Sequence, residues 1–184
     1  LSSTINPTEV SVYSTANTYY NIVVIFFTAI IVASSTPITD AYVRGDIMWV
    51  KNCMNKLSKI ASIAVILELM LFVLSDFAFS IWVGDKITVP NSLAIAFVLY
   101  NVLALFSQQF NLFVASVGKM NLNVIISCFK IVLFIPIAIF LVRIFGTIGL
   151  VAATILINTI PNLVFGGIQA KRIITGTATG IWNK

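Results

Sequence analysis

The sequence predicts an all-α integral membrane fold of five transmembrane helices and one interfacial amphipathic helix. Three observations predict it. The 184 residues are 59% hydrophobic and only 9% charged, with a mean hydropathy of +1.04. A soluble domain carries roughly 25% charged residues, so this chain lacks the polar surface that water requires. Five apolar stretches, about 10–36, 60–83, 90–117, 121–145 and 147–170, are each long enough to cross ~30 Å of hydrocarbon at ~1.5 Å per residue. Finally, the polar breaks carry basic residues on alternate sides, as the positive-inside rule describes.

The first span begins after Asn6-Pro7-Thr8-Glu9, with Thr8 placed as N-cap, and stops at Pro37. The connection 38–59 holds Gly45-Asp46, a helix start in which Asp46 caps the free amides of the following turn. Beyond it Trp49, Val50, Cys53, Met54, Leu57 and Ile60 recur at three- and four-residue steps, with Lys51, Asn52, Asn55, Lys56 and Lys59 on the other face. That pattern predicts an amphipathic helix over about 46–59, lying at the membrane surface and running into the second span. The third span starts at Val89-Pro90-Asn91 and ends at Gly118-Lys119. Pro136 lies in the fourth span and Pro161 in the fifth. A proline inside a span removes a backbone hydrogen bond and kinks the helix, which packed neighbours accommodate.

Successive breaks alternate sides, so 38–59, 118–120 and a tail at 171–184 share one side. That side holds Arg44, Lys51, Lys56, Lys59, Lys119, Lys171, Arg172 and Lys184; the other has Lys86, with Arg143 a turn from the boundary. The bias predicts a cytoplasmic tail and, with five spans, an external start. The chain opens on Leu1 without a basic segment and cleavage site, so further helices are expected upstream.

The net charge of +5 does not point to nucleic acid, because the basic residues form no stripe with interleaved aromatics. Histidine is absent, which removes Ser-His-Asp and Cys-His catalysis and His-based metal sites. Cys53 and Cys128 form neither a CxxC motif nor a disulfide framework. No carboxylate pair, Gly-rich phosphate loop or metal cluster appears, so the expectation is a protein that is not an enzyme and holds no cofactor or metal.

Three ionisable residues fall inside spans, where charge is costly and faces a cavity or a partner. Glu68 lies roughly 12 Å below the edge at Ile60, and Lys130 roughly 13 Å from Asn121. Asp76 lies roughly 10 Å from the opposite edge at Val83. The matching depths allow Glu68 and Lys130 to pair if their helices adjoin; the alternative is that Lys130 faces a substrate. Amides add to this interior polarity. Asn17 and Asn21 stand with Ser14 and Thr18 on the first span, Asn101, Gln108, Gln109 and Asn111 on the third, and Asn158 and Asn162 beside Pro161. Each taken singly reads as an interhelical hydrogen bond, a common feature adding about 0.6 kcal/mol. Together they fit a hydrated cavity better than a sealed bundle or a non-transporting anchor.

Several pieces resemble one family. Pro37-Ile-Thr-Asp-Ala41-Tyr-Val-Arg-Gly45-Asp46-Ile-Met-Trp49-Val-Lys51 is similar to the loop after the eighth helix of bacterial polysaccharide (O-antigen-type) flippases. These belong to the multidrug/oligosaccharidyl-lipid/polysaccharide exporter superfamily. Asn6-Pro7-Thr8-Glu9-Val10-Ser11-Val12-Tyr13 resembles the start of that helix, Asn111 with Gly118-Lys119 the turn between the tenth and eleventh, and Gly180-Ile181-Trp182-Asn183-Lys184 the tail. The resemblance implies a twelve-helix protein of two lobes around a central cavity, of which this chain is the C-terminal portion, helices eight to twelve. It implies movement of undecaprenyl-pyrophosphate-linked oligosaccharide across the inner membrane for polysaccharide and lipopolysaccharide O-antigen synthesis. The implied partners are the bilayer, the lipid-linked oligosaccharide and an N-terminal lobe. Thr18 stands where the related lipid II flippases carry arginine, so lipid II is not the expected substrate. Within this reading Lys130 meets the pyrophosphate and Asn17, Asn21 and Gln109 contact sugar. Glu68 and Asp76 are either ion-coupling groups, as in the superfamily's cation-coupled drug exporters, or structural.

Overall fold

The structure, a computed structural model, describes residues 7–84 and 88–183. Asn6, Lys86 and Lys184, which enter the sequence reading above, lie outside the described residues. The described elements are α1 (Pro7–Ala33), α2 (Ser35–Val43), α3 (Ile47–Val73), α4 (Ser75–Trp82), α5 (Asn91–Ser116), α6 (Asn121–Phe145), α7 (Thr147–Thr154) and α8 (Ile160–Ile174). A π-turn at Ile155–Thr159 joins α7 to α8, and a 3₁₀ turn at Gly180–Asn183 follows. Four helical segments are long and apolar enough to cross a membrane, or five if α3 and α4 count as one bent span. Such a chain is compatible with a multi-pass membrane protein.

The central helix is α5, which packs against α1, α3, α7 and α8. Along one half of it Ile31, Val50, Leu57, Leu105 and Phe113 form a core; along the other, Tyr20, Phe79, Leu93 and Phe97 form a second. Outward faces are left apolar: on α6, Ile131 and Val132 are 70% and 72% exposed. Water would oppose such a surface, whereas hydrocarbon matches it.

Three breaks depart from the expected ones. The first span does not stop at Pro37. The helix breaks at Ser34, and Pro37 lies in the first turn of α2, where its missing N–H costs nothing. The interfacial helix expected over 46–59 is not a separate element. Asp46 does cap it, its Oδ1 accepting from the Trp49 amide at 2.9 Å, but the helix then runs unbroken to Val73. The second span expected over 60–83 instead bends by 63° between α3 and α4. Neither proline nor glycine causes this bend. The Tyr19 hydroxyl, from α1, donates to the Leu71 carbonyl at 2.9 Å, and Ser75 Oγ donates to the Phe72 carbonyl at 2.7 Å. These side chains add donors to carbonyls in the last turn of α3. Asp76 then falls in the first turn of α4, where its charge complements the helix dipole.

The reversal between α6 and α7 is tight. A Cβ on Gly149 would lie 2.2 Å from the Leu141 carbonyl oxygen, so the two backbones meet where only glycine fits. We expect Gly149→Ala to push α7 off α6 and destabilise the protein by about 1–3 kcal/mol, read as a lower thermal midpoint in detergent. An unchanged midpoint would contradict this packing.

Basic residues gather at one end. Lys119, in the α5–α6 turn, sits 5.4 Å from the Tyr42 ring centroid and hydrogen-bonds Asn183. Arg172 stacks on Trp182 at 4.6 Å. Buried Gln169 donates to the carbonyls of Lys119 and Trp182 at 2.9 and 3.4 Å, holding the final turn against the bundle. The α2–α3 connection, the α5–α6 turn and the tail therefore share this basic end, and Arg143 lies near the opposite one.

Candidate functional site

On α6, Asn123, Ser127 and Lys130 recur at four- and three-residue steps and so share one face. That face looks onto Asn111 of α5 and onto Asn158 and Asn162, which flank the junction of the π-turn and α8. Together with Phe134 these residues line a cavity of about 600 Å³. The π-turn has a local cause in the sequence. Pro161 has no N–H to give to the turn before it, and widening that turn accommodates the missing bond. The wider turn also resets the direction of Asn158 relative to α7.

Lys130 is half-buried, and its Nζ donates to Asn162 Oδ1. Asn111 Oδ1 is buried without a hydrogen-bond partner. Gly166 makes room for it, since a Cβ there would lie 3.1 Å from that oxygen. The cavity thus combines one ammonium with several amides, the Asn111 oxygen itself being buried beside Gly166. An ammonium beside amides is chemistry suited to an anionic group and to hydroxyls.

Of the two alternatives for Lys130, the pairing with Glu68 is not formed. Among the described residues the backbones of α3 and α6 do not come together, and the ion pair found is Arg44 with Asp40 at 2.9 Å. Glu68 instead accepts from Asn101 Nδ2 at 2.8 Å, and the same amide donates to the Tyr20 carbonyl at 2.8 Å. Depth explains the difference. Asn101 and Asn111 are ten residues apart on α5, so Glu68 and Lys130 lie on levels roughly 15 Å apart. Because α3 begins at Ile47, Ile60 is not the edge from which Glu68 should be measured.

The residues expected to contact sugar are likewise not gathered around Lys130. Gln109 is buried on the α3 side of α5, accepting from Ser58 Oγ at 3.3 Å; two residues of helix turn it away from the face of Asn111. Asn21 donates to Asn17 along α1 at 3.2 Å, and α1 does not approach α6. Asp76 is exposed on α4 and does not line the Lys130 cavity. Asn123 and Ser127 belong to the cavity although neither was expected as a binding residue. Their four- and three-residue steps to Lys130 were the available signal.

Comparison of the chain with models of protein families, with curated proteins and with solved structures finds no match.

Proposed function

We propose that this chain is the C-terminal part of a membrane flippase that carries pyrophosphate-linked oligosaccharide on a polyprenyl lipid across the bacterial inner membrane. The observation that carries the proposal is the cavity in which Lys130 stands among Asn111, Asn123, Ser127, Asn158 and Asn162. A pyrophosphate cannot cross hydrocarbon without a cation to meet it, and sugar hydroxyls require amide partners. Lys130 supplies the first and the asparagines the second. The resemblance of residues 37–51 to the polysaccharide flippases supports the same cargo and a partner N-terminal lobe. Parallel measurement of surface polysaccharide and membrane abundance in a Lys130→Gln strain tests it.

A second reading, a cation-coupled exporter of small molecules, draws on the other buried cluster. Glu68 Oε2 and Asn101 Oδ1 are both buried without hydrogen-bond partners, leaving acceptors for a coupling proton or sodium. Transport that follows an imposed ion gradient and loses that dependence in Glu68→Gln would favour this reading.

The basic end faces the cytoplasm in this proposal. With Cys53 and Cys128 replaced by serine, a cysteine at Asn91 should react with an impermeant maleimide from outside and one at Asn52 should not. Both positions are exposed, so the reverse pattern would invert the topology.

A further inference from the structure

At the basic end a groove separates α3 from α8. It encloses about 740 Å³ and shares no lining residue with the Lys130 cavity. Lys51 of α3 and Lys171 of α8 stand on its two walls, both exposed. Among the described residues neither has an ion-pair partner, and no carboxylate lines the groove. Inward of the lysines the lining runs through Met54, Phe110 and Ala170, with Asn55 and Ser58 on the α3 wall. Gly167 lies on that stretch, one helical turn or roughly 6 Å inward of Lys171. A Cβ on it would rest 3.6 Å from the Phe110 ring, so a longer side chain there would fill the space.

Cations from both walls above an apolar floor match one ligand chemistry, a phosphodiester carrying acyl chains. We propose that this groove binds one anionic phospholipid of the surrounding bilayer, its phosphate between Lys51 and Lys171 and the first part of its chains along Met54, Phe110 and Ala170. This rests on the reading that the chain spans a membrane. Lysines at helix ends also reach toward the interface without forming a site. In that case any lysine pair of this end would attract anionic lipid equally. Lys56 and Lys59, on α3 but outside the groove, supply the comparison.

The full-length protein would be extracted from membranes and incubated with equal amounts of phosphatidylglycerol and phosphatidylcholine. Retained lipids would then be counted by native mass spectrometry. The expected result is one retained phosphatidylglycerol, preferred about tenfold over phosphatidylcholine. The preference should fall to near parity in Lys51→Gln/Lys171→Gln and persist in Lys56→Gln/Lys59→Gln. Gly167→Leu should lose the retained lipid with all lysines in place. Thermal midpoints would accompany each variant, and the lysine pair, being exposed, decides the matter if Gly167→Leu fails to fold. Equal loss in both lysine pairs would overturn the site in favour of diffuse attraction. Retention of no lipid by the wild type would overturn it in favour of a groove covered by protein. A chain that is soluble without extraction would instead sink the membrane reading itself.

Discussion

Lys130→Gln, made in the full-length protein, is expected to cut export of lipid-linked oligosaccharide roughly 10- to 100-fold. That range corresponds to losing one hydrogen bond to a charged group. Membrane abundance should hardly change. Lys130 does not pair with Glu68, so its removal strands no buried carboxylate, and glutamine still carries an N–H on the side facing Asn162. For the same reason, adding Glu68→Gln should restore nothing. Lys130→Arg keeps the cation and should retain part of the output. Surface polysaccharide and immunoblotted membrane protein, measured in parallel, check all four strains. Low abundance in Lys130→Gln, or recovery in the double variant, would show that the lysine serves the fold.

Asn101→Ala is expected to destabilise the protein by roughly 2–4 kcal/mol, because one amide holds two buried acceptors. Its Nδ2 serves both the Glu68 carboxyl and the Tyr20 carbonyl, and thus ties α5 to α3 and α1 at a single point. Alanine leaves the Glu68 oxygen unpaired, removes the second donor from the Tyr20 carbonyl within α1, and opens a void beside them. Glu68→Gln, by contrast, keeps the acceptor that Asn101 uses and brings an N–H to a place with unpaired oxygens, so its cost should be small. Thermal unfolding of the two variants in detergent separates them. Equal midpoints would contradict the central role given to Asn101.

The helical, apolar character of the chain is legible in composition and in segment length alone, and so is the start of α3, where Asp46 follows Gly45. The break at Leu74 is not. It depends on Tyr19, more than fifty residues away, whose hydroxyl takes the Leu71 carbonyl. Ser75 and Asp76 are the local residues at the break, but neither proline nor glycine stands near 74 to announce it. Helical periodicity likewise groups Asn123, Ser127 and Lys130, but only the packing of α5 decides that Asn111 faces them while Gln109 does not. Equal depths for Glu68 and Lys130 follow only if depth is counted from the end of an apolar run. The continuous α3 reaches well past that point toward its N-terminus, and the true neighbour of Glu68 was Asn101.

The central claim is that the Lys130 cavity recognises a pyrophosphate joined to sugar. Its most direct test is the affinity of the full-length protein for two ligands, a polyprenyl-pyrophosphate oligosaccharide and the same oligosaccharide on an uncharged polyprenyl carrier. The account predicts that the pyrophosphate ligand binds at least about tenfold tighter and that Lys130→Gln erases this difference while leaving the uncharged ligand unaffected. Equal affinity for both ligands, or a preference that survives in Lys130→Gln, would contradict it.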